Sequence, residues 1–207
     1  MYNDMIENSN IPKSNIVVIN NPITDKFKLK QKNKSDEKRL LTLITVGSFK
    51  KQKGHLRLLE VLARLNFDFK YYMVGDGHQK EEIFKAIDKY NLHKKIVHIP
   101  FTKNVAKYLS ISDYFIQGSY VEGFPNCLIE SCAVGTPIIA FDAPGGLNEI
   151  ITSGVNGYIV KDSIEFINYL KAPYHWKPEE VRQVVMDKFS KDIILSKYEN
   201  LFLNLLK

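Results

Sequence analysis

The sequence predicts an α/β domain built on a doubly wound, parallel, six-stranded sheet, and three observations carry that expectation. Apolar runs of strand length recur after residue 39, stretches with helical apolar spacing separate them, and glycines close the first two runs. Residues 40–46 form a near-continuous apolar run ending at Gly47, the pattern of a strand buried on both faces. Residues 55–65 follow as a helix, with Leu58, Leu59, Leu62 and Leu65 on one stripe. Residues 69–74 read as the next strand, ended by Gly75-Asp76-Gly77, and residues 79–90 as a helix carrying Ile83, Phe84 and Ile87. Further strands are expected at 96–99, 113–117, 137–141 and 157–160, with helical stretches at 104–110, 125–134 and 146–152. Right-handed crossovers through these helices return every strand to the same direction, which gives a Rossmann-like sheet.

At 207 residues the chain suits one compact domain with appendages, given about 100–200 residues per domain. Apolar residues at 44% and charged residues at 25% exclude wholesale disorder. No run approaches the roughly 20 apolar residues of a membrane-spanning helix. Residues 1–10 are polar, contain Asp4 and Glu7, and lack the features of a secretory signal, so a cytoplasmic location is expected. Cys127 and Cys132 have no neighbouring ligands to complete a metal set and read as small buried apolar groups; no metal is expected. A net charge of +6, from 29 basic and 23 acidic side chains, suits polyanions, phosphorylated small molecules or an anionic membrane face.

The two ends differ from the core. Residues 26–39 hold Lys26, Lys28, Lys30, Lys32, Lys34, Lys38 and Arg39 against Asp36 and Glu37, and read as a solvated basic linker. No aromatic residue follows Phe27 there for base stacking, so no nucleic-acid partner is expected. Near the other end, Ser190 reads as the cap of a helix whose stripe of Ile194, Tyr198, Leu201 and Leu205 needs a surface to pack on.

Ligands of an open parallel sheet sit beyond the carboxyl ends of its strands, so three loops matter. The first, from Gly47 and Ser48 through Lys50, Lys51 and Lys53 to Gly54, combines a helix start with ammonium groups suited to phosphate; a basic surface loop has the same composition. The second, Gly75-Asp76-Gly77-His78, reads as a tight turn needing positive φ rather than a dinucleotide fingerprint, because the third glycine is lacking. The third runs Glu122-Gly123-Phe124-Pro125-Asn126-Cys127 and on to Glu130. Pro125 suits the first helical position, so the helix starts beside Gly123 with its free amides facing the crevice. Glu130 follows Pro125 by five residues, about 7–8 Å along a helix, so Glu122 and Glu130 flank the anion site. Such spacing suits a ligand with hydroxyls on both sides of a phosphate, as in a sugar nucleotide. Two glutamates at a helix start also serve as plain macrodipole partners.

In order and spacing, several motifs closely resemble the C-terminal nucleotide-sugar domain of family 4 retaining glycosyltransferases of the GT-B architecture. They are Val46-Gly47 with Lys53-Gly54, Val74-Gly75-Asp76-Gly77, Glu122-Gly123-Phe124-Pro125-Asn126 with Glu130, Gly135-Thr136-Pro137, Gly145-Gly146 with Glu149, and Gly154 with Gly157. The similarity covers residues 40–170, and the glutamate pair is its most diagnostic part. The resemblance implies that Glu130 binds the donor ribose and Glu122 the transferred sugar. It implies that Lys53 and the Phe124, Asn126 and Cys127 amides contact the diphosphate, alongside Gly47, Ser48 and Gly123. Gly145, Gly146 and Glu149 would line the same crevice, and residues 99–102 fall where the family holds the base. No cofactor is implied beyond the nucleotide diphosphate sugar itself, expected to be UDP-linked and acting as donor substrate.

Two departures from the family matter. Ser48 stands where an arginine is common, and the ammonium groups of Lys50 or Lys51 do not reproduce its bidentate fork. Residues 11–22 with Asp25 and Phe27 look like the segment joining two halves, so the chain is expected to be a C-terminal half lacking its N-terminal acceptor domain or subunit. On that reading, residues 1–39 are interdomain remnant and linker, 40–170 the donor-binding domain, and 171–207 C-terminal helices. The expected function is transfer of a sugar, with retention, to a glycan or lipid-linked acceptor in polysaccharide assembly, with peripheral association at the inner membrane face. The resemblance also implies a final helix that crosses onto the other half, leaving its stripe partly exposed and prone to self-association. Two alternatives stand: a catalytically silent nucleotide-binding or partner-stabilising domain, and another nucleotide-sugar enzyme such as an epimerase.

Overall fold

A computed structural model describes residues 11–30, 40–173 and 175–206. Six strands, β1 (Leu41–Val46), β2 (Phe69–Val74), β3 (Ile96–Ile99), β4 (Tyr114–Gln117), β5 (Ile138–Phe141) and β6 (Gly157–Val160), form one sheet in the order β3-β2-β1-β4-β5-β6. Every pairing is parallel. β1 pairs with β2 from Leu41↔Phe69 to Val46↔Val74, and with β4 through Leu43↔Tyr114 and Ile44↔Phe115. Strand order therefore reverses between β1 and β4, where an open parallel sheet has its crevice. All four residues of β4 and of β5 are buried, which is why these strands read as apolar runs without alternation.

Helices α1 (His55–Ala63), α2 (Lys80–Lys89), α3 (Val105–Ser110), α4 (Asn126–Ala133), α5 (Leu147–Ile150), α6 (Ser163–Lys171), α7 (Pro178–Phe189) and α8 (Lys191–Leu205) cover the faces. α1 buries Leu58, Leu59 and Leu62 as its stripe demands, and Leu65 is buried just beyond the helix end. Asp162 caps α6 by accepting from the Ile164 and Glu165 amides at 2.8 and 2.9 Å. α6 escaped the sequence reading, since charged residues interrupt its apolar positions, while α7 falls among the C-terminal helices expected over residues 171–207. α7 packs on α4, with Arg182 donating to the carbonyls of Ala133 and Phe27.

Two expectations about the ends are corrected. Residues 26–30 are not a solvated linker: Phe27 is only 2% exposed, Ile23 lies beside it in the core, and Lys30 donates to Ser112 O and Thr136 Oγ1 at 3.1 Å. The lysines of this stretch concealed two apolar anchors. Lys26 and Lys28 are exposed, while Lys32, Lys34, Asp36, Glu37, Lys38 and Arg39, like the polar stretch 1–10, lie outside the described residues. Ser190 does occupy the cap position of α8, yet its side chain makes no capping hydrogen bond; it sits at the tight α7–α8 corner, where its amide bonds to Met186 O. Of the α8 stripe, Ile194 is buried, Tyr198 is exposed and Leu205 is 74% exposed. No helix among the described residues is long and apolar enough to cross a membrane.

Anchoring of the N-terminal segment by Phe27 predicts that Phe27→Ala costs about 3–5 kcal/mol in urea unfolding. A loss under about 0.5 kcal/mol, the usual range for a surface change, would show that the segment is not part of the cooperative unit.

Candidate functional site

The crevice is built where β1 and β4 end side by side. β1 leads through Gly47 into a loop whose last turn, the 3-10 helix Lys51–Lys53, precedes α1. Two contacts fix that loop: the Phe49 amide donates to Asp76 O at 2.9 Å, and His55 Nε2 lies 3.3 Å from Ser48 O. His55 is buried against the Phe49 ring, and burial pushes its pKa down to about 4, so the imidazole is neutral and donates to Ser48. The Gly75 loop is a tight turn, as expected, with φ of 138°. A Cβ at Gly75 would lie 2.0 Å from Gly47 O, so glycine there lets the β2 loop press on the β1 loop.

Glu122 lies in the loop after β4 and is buried. Lys53 Nζ donates to both carboxylate oxygens, at 2.7 Å to Oε1 and 2.8 Å to Oε2. Oε1 also accepts from Ser119 Oγ at 2.6 Å and Gln117 Nε2 at 2.9 Å. The Lys53 side chain is 27% exposed and that of Glu122 5%, so this ion pair is largely removed from water. A carboxylate so buried requires a cation and well-placed donors, and both are present.

Pro125 does not open the α4 helix as expected. Its ψ of 95° is extended, it takes the capping position, and Asn126 is the first helical residue. No side chain caps this helix. The Leu128 amide bonds to Pro125 O at 3.0 Å, while the Asn126 and Cys127 amides have no carbonyl acceptor among the described residues. An uncapped helix start with free amides offers donors and partial positive charge of the kind that suits an anion. Glu130 stands one turn further along α4, half-buried, with no hydrogen-bond partner among the described residues. Burial raises its pKa, and the nearby Lys26 charge offsets part of that rise.

The remaining expected residues divide by what surrounds them. Gly47 faces the Lys53 side chain, whose Cδ a Cβ would meet at 3.9 Å, while Gly123 borders open space; a Cβ at Gly123 would meet nothing within 4 Å. Phe124 is pinned edge-on to Phe189 of α7, and Asn126 Oδ1 accepts from Asn21 Nδ2 at 3.1 Å. Cys127 lines a small cavity with Gly47, Lys53, Ser119 and Glu122, and burial pushes its thiol up to about 12, so it stays neutral. Gly145 and Gly146 act first as packing glycines. Gly145 has φ of 129° with its Cα against Glu122 O, and the Gly146 amide bonds to Gly123 O at 2.8 Å. Glu149 accepts from Asn20 Nδ2 at 3.2 Å.

Sequence reasoning missed Gln117, Ser119 and His55. The available signal for Gln117 was a polar residue ending an otherwise apolar strand; for Ser119, its place three residues before Glu122. Nothing in the sequence marked His55 as buried.

A crevice at the reversal of strand order puts the chain among α/β domains whose ligands lie beyond the strand ends and against a helix start. The chain belongs to the family of glycosyl transferases group 1, which matches residues 25–172. Among its relatives is the Campylobacter jejuni N-acetylgalactosamine-N,N'-diacetylbacillosaminyl-diphospho-undecaprenol 4-alpha-N-acetylgalactosaminyltransferase, 33% identical over 119 residues, covering 58% of this chain and 33% of that protein. Another is the Bacillus anthracis N-acetyl-alpha-D-glucosaminyl L-malate synthase, 28% identical over 175 residues, covering 80% of this chain and 46% of the relative. The fold matches that of Anabaena HepE in complex with UDP, with a TM-score of 0.85, 17% identity, and coverage of 98% of this chain and 61% of that one. The chain thus spans less than half of these curated relatives.

If the buried carboxylate depends on its cation, Lys53→Met should cost about 3 kcal/mol in denaturant unfolding, by leaving Glu122 uncompensated. Adding Glu122→Gln should recover at least half of that loss. A Lys53→Met loss below about 1 kcal/mol, as for a surface pair, would contradict the burial of the ion pair.

Proposed function

We propose that the chain is the donor-binding part of a retaining glycosyltransferase, taking a nucleotide diphosphate sugar, UDP-linked, and serving transfer to a glycan or lipid-linked acceptor. The observation that carries this reading is that two carboxylates, Glu122 held by Lys53 and Glu130 one turn along α4, both lie close enough to act on Cys127 in the first turn of the uncapped α4. A diphosphate fits the free Asn126 and Cys127 amides, where the helix dipole favours negative charge. Ribose hydroxyls can donate to Glu130, and sugar hydroxyls can reach toward Glu122, with bonds strengthened by the acceptors' charge. Similar proteins support the ligand class: Anabaena HepE is known in complex with UDP, and the Campylobacter relative is an N-acetylgalactosaminyltransferase. The base would lie by residues 99–102, as the family resemblance suggests.

In the reaction, the bond from the anomeric carbon to the diphosphate oxygen breaks as the acceptor oxygen bonds that carbon from the same face. The departing diphosphate oxygen takes the acceptor's proton. Helix amides and Lys53 stabilise the charge gathering on the diphosphate, a preorganised contribution that water could not match. Lys53 has to turn from Glu122 toward the phosphate to do so; Gln117 and Ser119 keep Glu122 anchored meanwhile. The acceptor, and a partner domain or subunit that binds it, complete the proposal, as does association with the inner face of a membrane through the chain's positive charge. A second reading, donor binding without transfer, draws on Ser48, which brings no cation to the phosphate loop.

Calorimetric titration with UDP and UDP-sugars tests the donor site. Wild type should bind, and Glu130→Gln should weaken binding about tenfold or more, the worth of a charge-assisted hydrogen bond. Glu149→Ala should change binding less. Since burial disfavours the ionised form of Glu130, its raised pKa makes affinity fall, as pH drops, earlier than an ordinary carboxylate would. By the same sign, Glu130→Gln should match or exceed wild type in melting temperature near neutral pH, an advantage that fades below the usual carboxylate range. A folded wild type with no affinity for any nucleotide sugar defeats the reading. Binding without UDP release in the presence of acceptor and a complementary first half would favour the silent alternative.

A further inference from the structure

Gln117 is the last residue of β4, only 4% exposed, and its Oε1 is buried with no hydrogen-bond partner among the described residues. The side-chain amide cannot solve this by turning over. Nε2 donates to Glu122 Oε1, and a flip would set a carbonyl oxygen against a carboxylate that accepts only. Oε1 is therefore the fixed, unsatisfied end of the side chain, in the wall of the cavity that Lys53, Ser119, Glu122 and Cys127 complete.

The hydroxyl donors around it are spent. Ser119 gives its proton to Glu122 Oε1, and Thr45 gives its own to Ile116 O at 2.6 Å. Lys53 commits two of its three N–H groups to Glu122. The cavity has room for about one water-sized group, too little for an acetamido or phosphate group. A phosphate is further disfavoured by the carbonyl and carboxylate oxygens that face it. What fits is a single neutral donor of hydroxyl size.

Resting on the donor-site reading, we propose that Gln117 is a specificity-determining residue that accepts a hydrogen bond from one hydroxyl of the transferred sugar. When Lys53 turns toward the diphosphate it uncovers the cavity mouth beside Glu122, and the sugar edge follows. A sugar lacking that hydroxyl leaves Oε1 buried and unpaired. This is the case in which a hydrogen-bonding site discriminates strongly between a substrate and its deoxy counterpart.

The test is calorimetric titration of the full chain with UDP, UDP-glucose, UDP-galactose and the monodeoxy forms of both sugars. In wild type, one monodeoxy form should bind about tenfold or more weakly than its parent. Gln117→Met keeps the length and removes both the Oε1 acceptor and the Nε2 donor to Glu122; it should bring that ratio to within about twofold of unity, and the loss of the donor alone is reported by Ser119→Ala, which removes the other neutral donor to Glu122. Ser119→Ala removes a donor to Glu122 and leaves Gln117 Oε1 in place, so it should weaken parent and analogue alike and preserve the ratio. An unchanged ratio in Gln117→Met, no discriminated hydroxyl in wild type, or no gain of either sugar over UDP would each overturn the assignment. A folded wild type that does not bind UDP at all would instead overturn the donor-site reading beneath it.

Discussion

The carboxylate of Glu122, held out of water at the point where strand order reverses, is the constraint around which the crevice is arranged. Removing a charge from solvent is costly, and attraction to one cation seldom recovers the whole cost without further hydrogen bonds. Here the cation comes from the β1 loop through Lys53, and two neutral donors come from the end of β4 through Gln117 and Ser119. The same loop is tied by its backbone to the next strand's loop, with the Glu122 amide on Pro144 O and the Gly146 amide on Gly123 O, each within 2.9 Å. Three segments thus meet at Glu122, the β1 loop and the β4 end at its side chain and the β5 loop at the backbone around it. Rigidity of the crevice follows from that convergence.

Beside this rigid corner stands an underused helix start. Extended geometry at Pro125 sends the chain into α4 without a side-chain cap, so amide dipole is left over. Glu130, half-buried and without a partner, is likewise unsatisfied, since burial works against its charge. Unsatisfied donors and an unsatisfied acceptor set one turn apart are the features on which the proposed donor site rests, a site for a ligand with an anionic centre and hydroxyl arms. The segment around Asn20 and Asn21, which touches Glu149 and Asn126, closes one side of this surface.

Much of the sheet was legible because strands buried on both faces leave continuous apolar runs, as at β1, β4 and β5. The N-terminal segment was not, because charge density dominates its composition while packing depends on only Ile23 and Phe27. Glu122 and Glu130 were visible through their spacing around a proline. Their different states were not visible: one is clamped by Lys53 and the other lies unpaired, a difference set by tertiary contacts from β1 and β4. Gly145 reads from sequence as a ligand-facing glycine, whereas its φ of 129° and its approach to the Glu122 carbonyl give it a packing duty first. Local chemistry announced Lys53, Glu122 and Glu130; only the fold could add Gln117 and Ser119 and say which of them hold each other.

A crystal structure of the chain soaked with UDP measures the central idea most directly. The account predicts diphosphate density against the Asn126 and Cys127 amides, ribose hydroxyls on Glu130, and the Lys53 ammonium displaced from Glu122 toward phosphate. Ordered UDP bound elsewhere, with the Lys53–Glu122 pair intact and the α4 start unfilled, would contradict it.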